Sequence, residues 1–401
     1  MVTVDAGSFL VVVTLAALAA IVAGVTQPRL AIPVVVIEIL GGILVGPDVL
    51  DLADPDQFIE FFSNLGLGML FFFAGYEIDF ERIRGHPLRL AVLGWGISLI
   101  LAYSIGGVLA AAGIVLSLLY TGSAMATTAI GTLIPILSDS GELRTRFGTR
   151  LLAAGAMGEF GPILLITLVF STRGTVSNIL ILLAFIAIAV ATAFVALSEI
   201  RRGWALFERT LESSGQLAIR IAVVLIFALV ALASELGLDL LLGGFVAGVI
   251  TRVALKGREV RIFESKLTAV GYGFFIPFFF ITSGLKFDLD ALTSNPENAL
   301  KVPLFLALFL VVRGVPALLL YREMDLRDRA ALAFFSGTQL PLVVAITTIA
   351  VDQGHMRSST AASLVGAAIL STMLFPLTAL KLREGRAGVE PSGEPGFGTV
   401  P

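Results

Sequence analysis

Cysteine is absent from this chain of 401 residues, and charged residues are scarce at 14%. Without cysteine the chain has no disulfides, no thiolate metal ligands and no thiol nucleophile. Soluble globular chains carry roughly 25% charged residues, whereas 57% of this chain is hydrophobic. Water cannot therefore be the solvent for most of its surface. The composition predicts an all-α, polytopic integral membrane protein.

Apolar runs long enough to span a bilayer recur along almost the whole chain. A spanning helix needs about 20 mostly apolar residues, and the polar stretches between the runs are short. We predict thirteen spans in one integral membrane domain over residues 1–382, followed by a disordered cytoplasmic tail over 383–401. The predicted spans are 8–25, 30–46, 59–76, 90–113, 114–137, 148–171, 176–198, 216–236, 238–253, 267–285, 302–321, 330–351 and 359–380.

Basic residues are distributed unevenly between the two sets of alternate connections. With thirteen spans, one set holds 21 Lys and Arg residues and the other holds only Arg173, Lys286, Lys301 and Arg357. Lys and Arg concentrate in the cytoplasmic connections of membrane proteins. The asymmetry predicts a multi-pass protein of the cell (inner) membrane, with its N-terminus outside and its C-terminus in the cytoplasm.

Three ionisable side chains fall near the mid-depth of their predicted spans, namely Glu38, Glu159 and Arg313. An ionised residue at the centre of a membrane helix costs about 2.5–3.5 kcal/mol on insertion scales, so such residues are usually paired, hydrated or functional. Glu159 is the strongest candidate for an ion site. For Glu38 two roles stay open: a polar contact at a subunit or domain interface, which we favour, and a place along a water path.

Glu159 lies in a run of small residues, Gly155-Ala-Met-Gly158-Glu159-Phe-Gly161-Pro162. The small residues recur at helical spacing and leave the face beside the carboxylate bare, either for close helix packing or for water and an ion. Pro162 has no backbone N–H, which frees the carbonyl of Gly158 as a candidate oxygen ligand. A buried carboxylate can hold a proton or a hard cation, but not both. The alternative is a permanent ion pair with Arg313.

Helix-breaking residues recur in the fifth and twelfth predicted spans. These residues are Thr132 and Pro135 in the fifth span, and Gly337, Gln339 and Pro341 in the twelfth. The two spans run in opposite directions, and paired interruptions in inverted repeats are typical of the ion sites of transporters. We therefore predict that the broken helices meet beside the carboxylate of the sixth span. The hydroxyls of Thr127 and Thr128 and the carbonyl of Gly158 would be further cation ligands.

Several loose motifs, in a specific order, resemble the monovalent cation:proton antiporter superfamily, in particular bacterial Na⁺/H⁺ antiporters and the membrane domain of glutathione-gated potassium efflux transporters. These motifs are Ile39–Pro47, Leu65–Ile83, Gly243–Gly248 and Phe278–Asp288. The resemblance implies a core domain, approximately 88–172 and 300–382, in which the two broken helices cross. It also implies a dimerisation domain, approximately 8–80 and 175–290, and hence a homodimer in the lipid bilayer.

The resemblance further implies a secondary antiporter that exchanges Na⁺ or K⁺ for H⁺ by alternating access. The ion-binding acid of the superfamily is an aspartate in the sixth helix, usually preceded by Asp, Asn or Gln, and this pair reads Gly158-Glu159 here. Arg313 falls where relatives carry Lys or Arg, and Ala154 replaces the glutamate that often partners this arginine. We therefore expect Arg313 to be the charge partner of Glu159 and the exchange to be electroneutral.

No cofactor is expected beyond the transported cation and proton, and the chain carries no recognisable nucleotide-binding domain or nucleic-acid interface. An enzyme is not expected either, because the sequence offers no metal-ligand cluster and no nucleophile–base pair. Two alternatives to antiport remain. One is a passive cation channel, and the other is a non-transporting homologue that acts as a sensor or scaffold, given the altered motif at Gly158-Glu159.

Overall fold

The computed structural model describes residues 5–26, 33–78, 80–169, 180–192, 216–236, 238, 240–255, 261–293 and 295–384. Over those ranges the regular secondary structure is helical. The α-helices are α1 Ala6–Thr26, α2 Val34–Val45, α3 Gln57–Glu77, α4 Phe80–Ile83, α5 His86–Ala111, α6 Leu118–Met125, α7 Ile130–Asp139, α8 Arg146–Val169, α9 Leu180–Thr192, α10 Leu217–Glu235, α11 Leu240–Ala254, α12 Arg261–Val270, α13 Ile276–Leu285, α14 Leu289–Thr293, α15 Pro296–Leu320, α16 Leu326–Gly337, α17 Pro341–Asp352 and α18 Ser358–Arg383.

Apolar helices of membrane-spanning length confirm the predicted all-α polytopic membrane protein. Within the described residues, eight helical stretches are long and apolar enough to cross a bilayer, and four shorter apolar helices accompany them. Every predicted span overlaps a described helix, although the count of thirteen stays a prediction. The predicted tail over 383–401 falls outside the described residues from 385 onward, and α18 itself continues to Arg383.

The fifth and twelfth predicted spans are each interrupted near the middle, as predicted. In the fifth, α6 ends at Met125 and α7 begins at Ile130. In the twelfth, α16 ends at Gly337 and α17 begins at Pro341. Proline at the first position of a helix is well tolerated because the N–H it lacks has no partner within the helix. Each span therefore consists of two half-helices whose inner ends lie at mid-span.

The chain divides into two units, each with dense internal contacts. The first unit comprises residues 1–79, 160–299 and 358–363, and the second comprises 80–159, 300–357 and 364–401. All four half-helices belong to the second unit, together with α5 and most of α15. The helices α8 and α18 contribute residues to both units.

Glycines allow the helix backbones of the first unit to approach each other closely. A Cβ atom added at Gly248 in α11 would lie 2.7 Å from the backbone nitrogen of Tyr76 in α3. Similarly, a Cβ atom at Gly284 in α13 would lie 2.8 Å from the Cα of Gly42 in α2. In lipid, helix association depends on such close packing, because apolar side chains gain little by leaving hydrocarbon.

A buried ion cluster joins three elements of the second unit. Arg383, at the end of α18, donates two hydrogen bonds of 2.8 Å to the carboxylate of Glu142, in the turn between α7 and α8. Its third nitrogen lies 2.9 Å from Oδ1 of Asp328, in the first turn of α16. The guanidinium also lies over the ring of Phe147, 4.4 Å from its centroid. The cluster thus joins the end of α18, the turn that follows α7 and the start of α16.

Replacing Gly248 with alanine should destabilise the protein by about 1–3 kcal/mol, because the added methyl group meets backbone atoms that cannot rotate away. Thermal unfolding in detergent measures the loss. Gly96→Ala is the matched control, since a Cβ atom at Gly96 in α5 has nothing within 4 Å. That variant should keep or raise the melting temperature, because alanine is the better helix former. Equal melting temperatures for the two variants would contradict the close packing of α3 against α11.

Candidate functional site

Backbone groups at the interruption of the fifth span bond to neighbouring elements of the second unit. The N–H of Ala129 donates to the carbonyl of Thr338 in the other interruption at 2.9 Å, and the N–H of Thr128 donates to the carbonyl of Gly158 at 3.1 Å. Pro162 has no N–H to give the Gly158 carbonyl four residues earlier. Irregular backbone at membrane depth needs such internal partners, because water is not available there.

Polar side chains tie the two interrupted segments together. The hydroxyl of Thr127 donates to Oε1 of Gln339 at 3.0 Å, and Nε2 of Gln339 donates to the carbonyl of Met125 at 3.0 Å. The hydroxyl of Thr128 donates to the carbonyl of Ser336 at 2.6 Å. Thr127, Thr128 and Gln339 are each at most 1% exposed. These residues therefore hold the crossing of the two broken helices together.

Two residues that were expected at the first interruption lie beyond it. Thr132 and Pro135 are inside α7, whereas the unwound residues are 126–129. The hydroxyl of Thr132 donates to the carbonyl of Ala129 at 2.9 Å, at the start of α7. The interruption falls earlier than Pro135 because the N–H groups of residues 128 and 129 take partners outside their own helix. The position of Pro135 alone does not decide where the helix unwinds.

Glu159, in α8, is buried beside the first turn of α7. The residue is only 5% exposed, and its Oε1 accepts a hydrogen bond of 3.4 Å from the N–H of Gly131. The first N–H groups of a helix carry a partial positive charge and stabilise an anion. The site can therefore bear a carboxylate, and a proton or a metal cation can neutralise it.

Arg313 lies beside the residue that precedes Glu159, and neutral oxygens hold its guanidinium. Nε donates to the hydroxyl of Thr128 at 2.9 Å, Nη1 to the hydroxyl of Ser98 at 3.1 Å, and Nη2 to the carbonyl of Ala154 at 3.0 Å. Arg313 itself is 4% exposed. Its pairing with Glu159 stays a prediction.

The sequence did not point to three other polar residues of the site, Ser98, Ser371 and Thr372. The hydroxyls of Ser371 and Thr372 in α18 donate to the carbonyl of Gln339 at 3.0 Å and 3.2 Å. Hydroxyl residues are common in apolar helices, so the only signal was their place within predicted spans. Glu38, the secondary candidate, is 3% exposed in α2 of the first unit.

Comparisons with known proteins identify relatives of the chain over most of its length. A family model described as the transmembrane sodium/hydrogen exchanger matches residues 13–380. YjbQ of Bacillus subtilis is 28% identical over 374 residues, which are 88% of this chain and 59% of YjbQ. The Na⁺/H⁺-K⁺ antiporter GerN of Bacillus cereus is 26% identical over 280 residues, which are 67% of this chain and 69% of GerN. The chain thus spans less than two thirds of the length of YjbQ.

A solved structure has the same fold. The sodium proton antiporter MjNhaP1 from Methanocaldococcus jannaschii aligns with a TM-score of 0.62 over 95% of this chain and 99% of that chain. The sequence identity is 16%, so the likeness concerns the fold alone.

Gly158→Ala should destabilise the protein by about 1–3 kcal/mol. The reason is that a Cβ atom at this position would lie 2.7 Å from Cβ of Thr128 and 2.8 Å from Nη2 of Arg313. Gly158→Asn, which restores a polar residue usual in the resembled superfamily, should be less stable still. Gly107→Ala is the control, because a Cβ atom there meets nothing within 4 Å. Wild-type thermal stability of the Asn variant in detergent would refute this packing.

Proposed function

Because the chain belongs to the transmembrane sodium/hydrogen exchanger family, whose model matches residues 13–380, we propose that it exchanges Na⁺ or K⁺ for protons by alternating access. The predicted membership of the monovalent cation:proton antiporters is confirmed at the level of the family. Its members are secondary transporters rather than enzymes. The name of GerN, a Na⁺/H⁺-K⁺ antiporter, supports keeping both cations as substrates.

The observation that carries the proposal is the buried carboxylate of Glu159 at the crossing of the broken helices. A charge removed from water is costly unless it is neutralised or solvated by the protein. The N–H groups of α7 solvate the carboxylate in part, and one proton or one cation completes its neutralisation. The two ions therefore compete for the same group, which is the simplest chemical basis for coupled exchange.

The proposed cation ligands are the carboxylate of Glu159, the hydroxyls of Thr127 and Thr128, and the carbonyl of Gly158. The hydroxyl of Thr128 and the carbonyl of Gly158 already take part in hydrogen bonds within the crossing. A carbonyl oxygen carries two lone pairs, so that of Gly158 can accept one N–H and still coordinate a cation. Carboxylate, carbonyl and hydroxyl oxygens together suit a hard cation.

The single membrane carboxylate of the motif makes electroneutral exchange the simplest cycle. An ionised Glu159 and the guanidinium of Arg313 together carry no net charge. Binding either one proton or one monovalent cation raises the charge of this pair by one in both cases. The loaded forms that cross the membrane then carry the same charge, so one cation exchanges for one proton.

Topology and assembly are also part of the proposal. The 21 basic residues in one set of predicted connections, against four in the other, support an N-terminus outside and a C-terminus in the cytoplasm. A homodimer in the cell (inner) membrane follows from the resemblance to the antiporter superfamily. No nucleic-acid partner is proposed.

Glu159→Gln should abolish exchange, because an amide can neither ionise nor release a proton to a cation. Proteoliposomes loaded with a pH-sensitive dye report the proton movement that Na⁺ or K⁺ drives, and the variant should match empty liposomes. Glu297→Gln, which changes an exposed glutamate at the start of α15, should retain the wild-type rate. Retained exchange by Glu159→Gln would remove this carboxylate from the mechanism.

Electroneutral exchange should be indifferent to membrane voltage. The initial rate of Na⁺-driven proton movement should stay within about 20% when valinomycin is added to an otherwise unchanged K⁺ gradient to impose about 100 mV of either sign. A cycle that moved one net charge would instead work with or against about 2.3 kcal/mol per 100 mV. Currents that rise with voltage without a proton gradient would identify a passive channel.

A further inference from the structure

A serine of α5 bonds to a carbonyl that a proline has freed in α15. Pro316 lies inside α15 and has no N–H to donate to the carbonyl of Val312, four residues earlier. The hydroxyl of Ser98 donates to this carbonyl at 2.9 Å. Ser98 and Val312 are both 0% exposed. At membrane depth the carbonyl therefore depends on this hydroxyl rather than on water.

The bond to Val312 fixes the direction of the Ser98 hydroxyl. Because its single proton goes to the carbonyl, Oγ has only lone pairs left for a further partner. That partner is Arg313, whose Nη1 donates to Oγ at 3.1 Å. The free carbonyl thus makes Ser98 an acceptor that faces the guanidinium.

Thr128, whose backbone N–H bonds to a second freed carbonyl, holds another edge of the guanidinium with its hydroxyl. The carbonyl of Gly158, freed by Pro162, accepts the N–H of Thr128 at 3.1 Å. The hydroxyl of Thr128 gives its proton to the carbonyl of Ser336 and accepts from Nε of Arg313 at 2.9 Å. The hydroxyls of Ser98 and Thr128 thus each donate to a carbonyl and accept from Arg313, and each of these two residues bonds to a carbonyl that a proline has freed.

We infer that Ser98 is a positioning residue of the exchange, which holds the guanidinium of Arg313 on neutral oxygens so that Glu159 stays available to the cation. The inference rests on the proposed function. Without the Ser98 hydroxyl, Nη1 of Arg313 loses its acceptor in α5. The freed nitrogen then turns to the strongest acceptor in the crossing, the carboxylate, and competes with the transported cation.

Ser98→Ala should therefore raise the KM for Na⁺ about tenfold, as expected for the loss of one hydrogen bond to a charged group. The maximal rate should stay within about twofold, because the carboxylate and the broken helices are intact. Ser104→Ala is the matched control on the same helix, since Ser104 is exposed, and its KM should not change. Both are measured as Na⁺-driven proton movement in proteoliposomes.

A second variant separates positioning from stability. Ser98→Ala also leaves the Val312 carbonyl without its donor and should lower the melting temperature in detergent. Pro316→Ala returns an N–H to α15, so the double variant Ser98→Ala/Pro316→Ala should recover the melting temperature and still show the raised KM. The double variant also carries the test if Ser98→Ala alone fails to fold.

Three outcomes decide whether Ser98 positions Arg313 for exchange or only caps the Val312 carbonyl. A raised KM that persists in the double variant supports the inference. Recovery of KM together with the melting temperature, or an unchanged KM in both variants, would overturn it and leave Ser98 as a structural cap. Absence of both Na⁺-driven and K⁺-driven exchange in the wild-type protein would overturn the proposed function as well, which distinguishes the two failures.

Discussion

Inside a bilayer each backbone N–H and carbonyl needs a partner supplied by the protein, and this constraint shapes the second unit. The unwound residues 126–129 and the prolines of α8 and α15 release groups that ordinary helices would satisfy internally. The N–H of Ala129 bonds to Thr338, that of Thr128 bonds to Gly158, and the carbonyl of Val312 bonds to Ser98. These bonds join α5, α8, α15 and the two interruptions around Glu159.

The same constraint gives a physical reason for the departures from the resembled superfamily motif. A side chain at position 158 would overlap Thr128 and Arg313, so the observed position of the guanidinium requires glycine at residue 158. At position 154 the backbone carbonyl accepts from Arg313, which does not need the glutamate that relatives often carry there. Gly158 and Ala154 are therefore two parts of one arrangement, in which neutral oxygens hold the arginine.

The spans and the two interruptions could be predicted from the sequence, because hydropathy and helix breakers are local properties. The predicted residues of the first interruption were less accurate. Pro135 is a strong local signal, yet the helix unwinds before it because the N–H groups of residues 128 and 129 bond to Gly158 in α8 and to Thr338 in the other interruption. The role of Ser98 could not be predicted, since it depends on Pro316, which is more than two hundred residues away in the chain. Long-range hydrogen bonds of this kind produce no repeating pattern in the amino-acid sequence.

Two buried arginines among the described residues of the second unit have opposite kinds of partner. Arg383 contacts Glu142 and Asp328, so two carboxylates neutralise its charge. Its role is to join these elements to the end of α18. Arg313 has only neutral oxygens among its described hydrogen-bond partners. A buried charge held without a formal counter-ion is costly, and an apolar side chain of similar volume would often be at least as stable. The cost is understandable if the charge acts on a group that must itself change between ionised and neutral states. In the proposed exchange that group is Glu159, which follows the residue beside the guanidinium in α8.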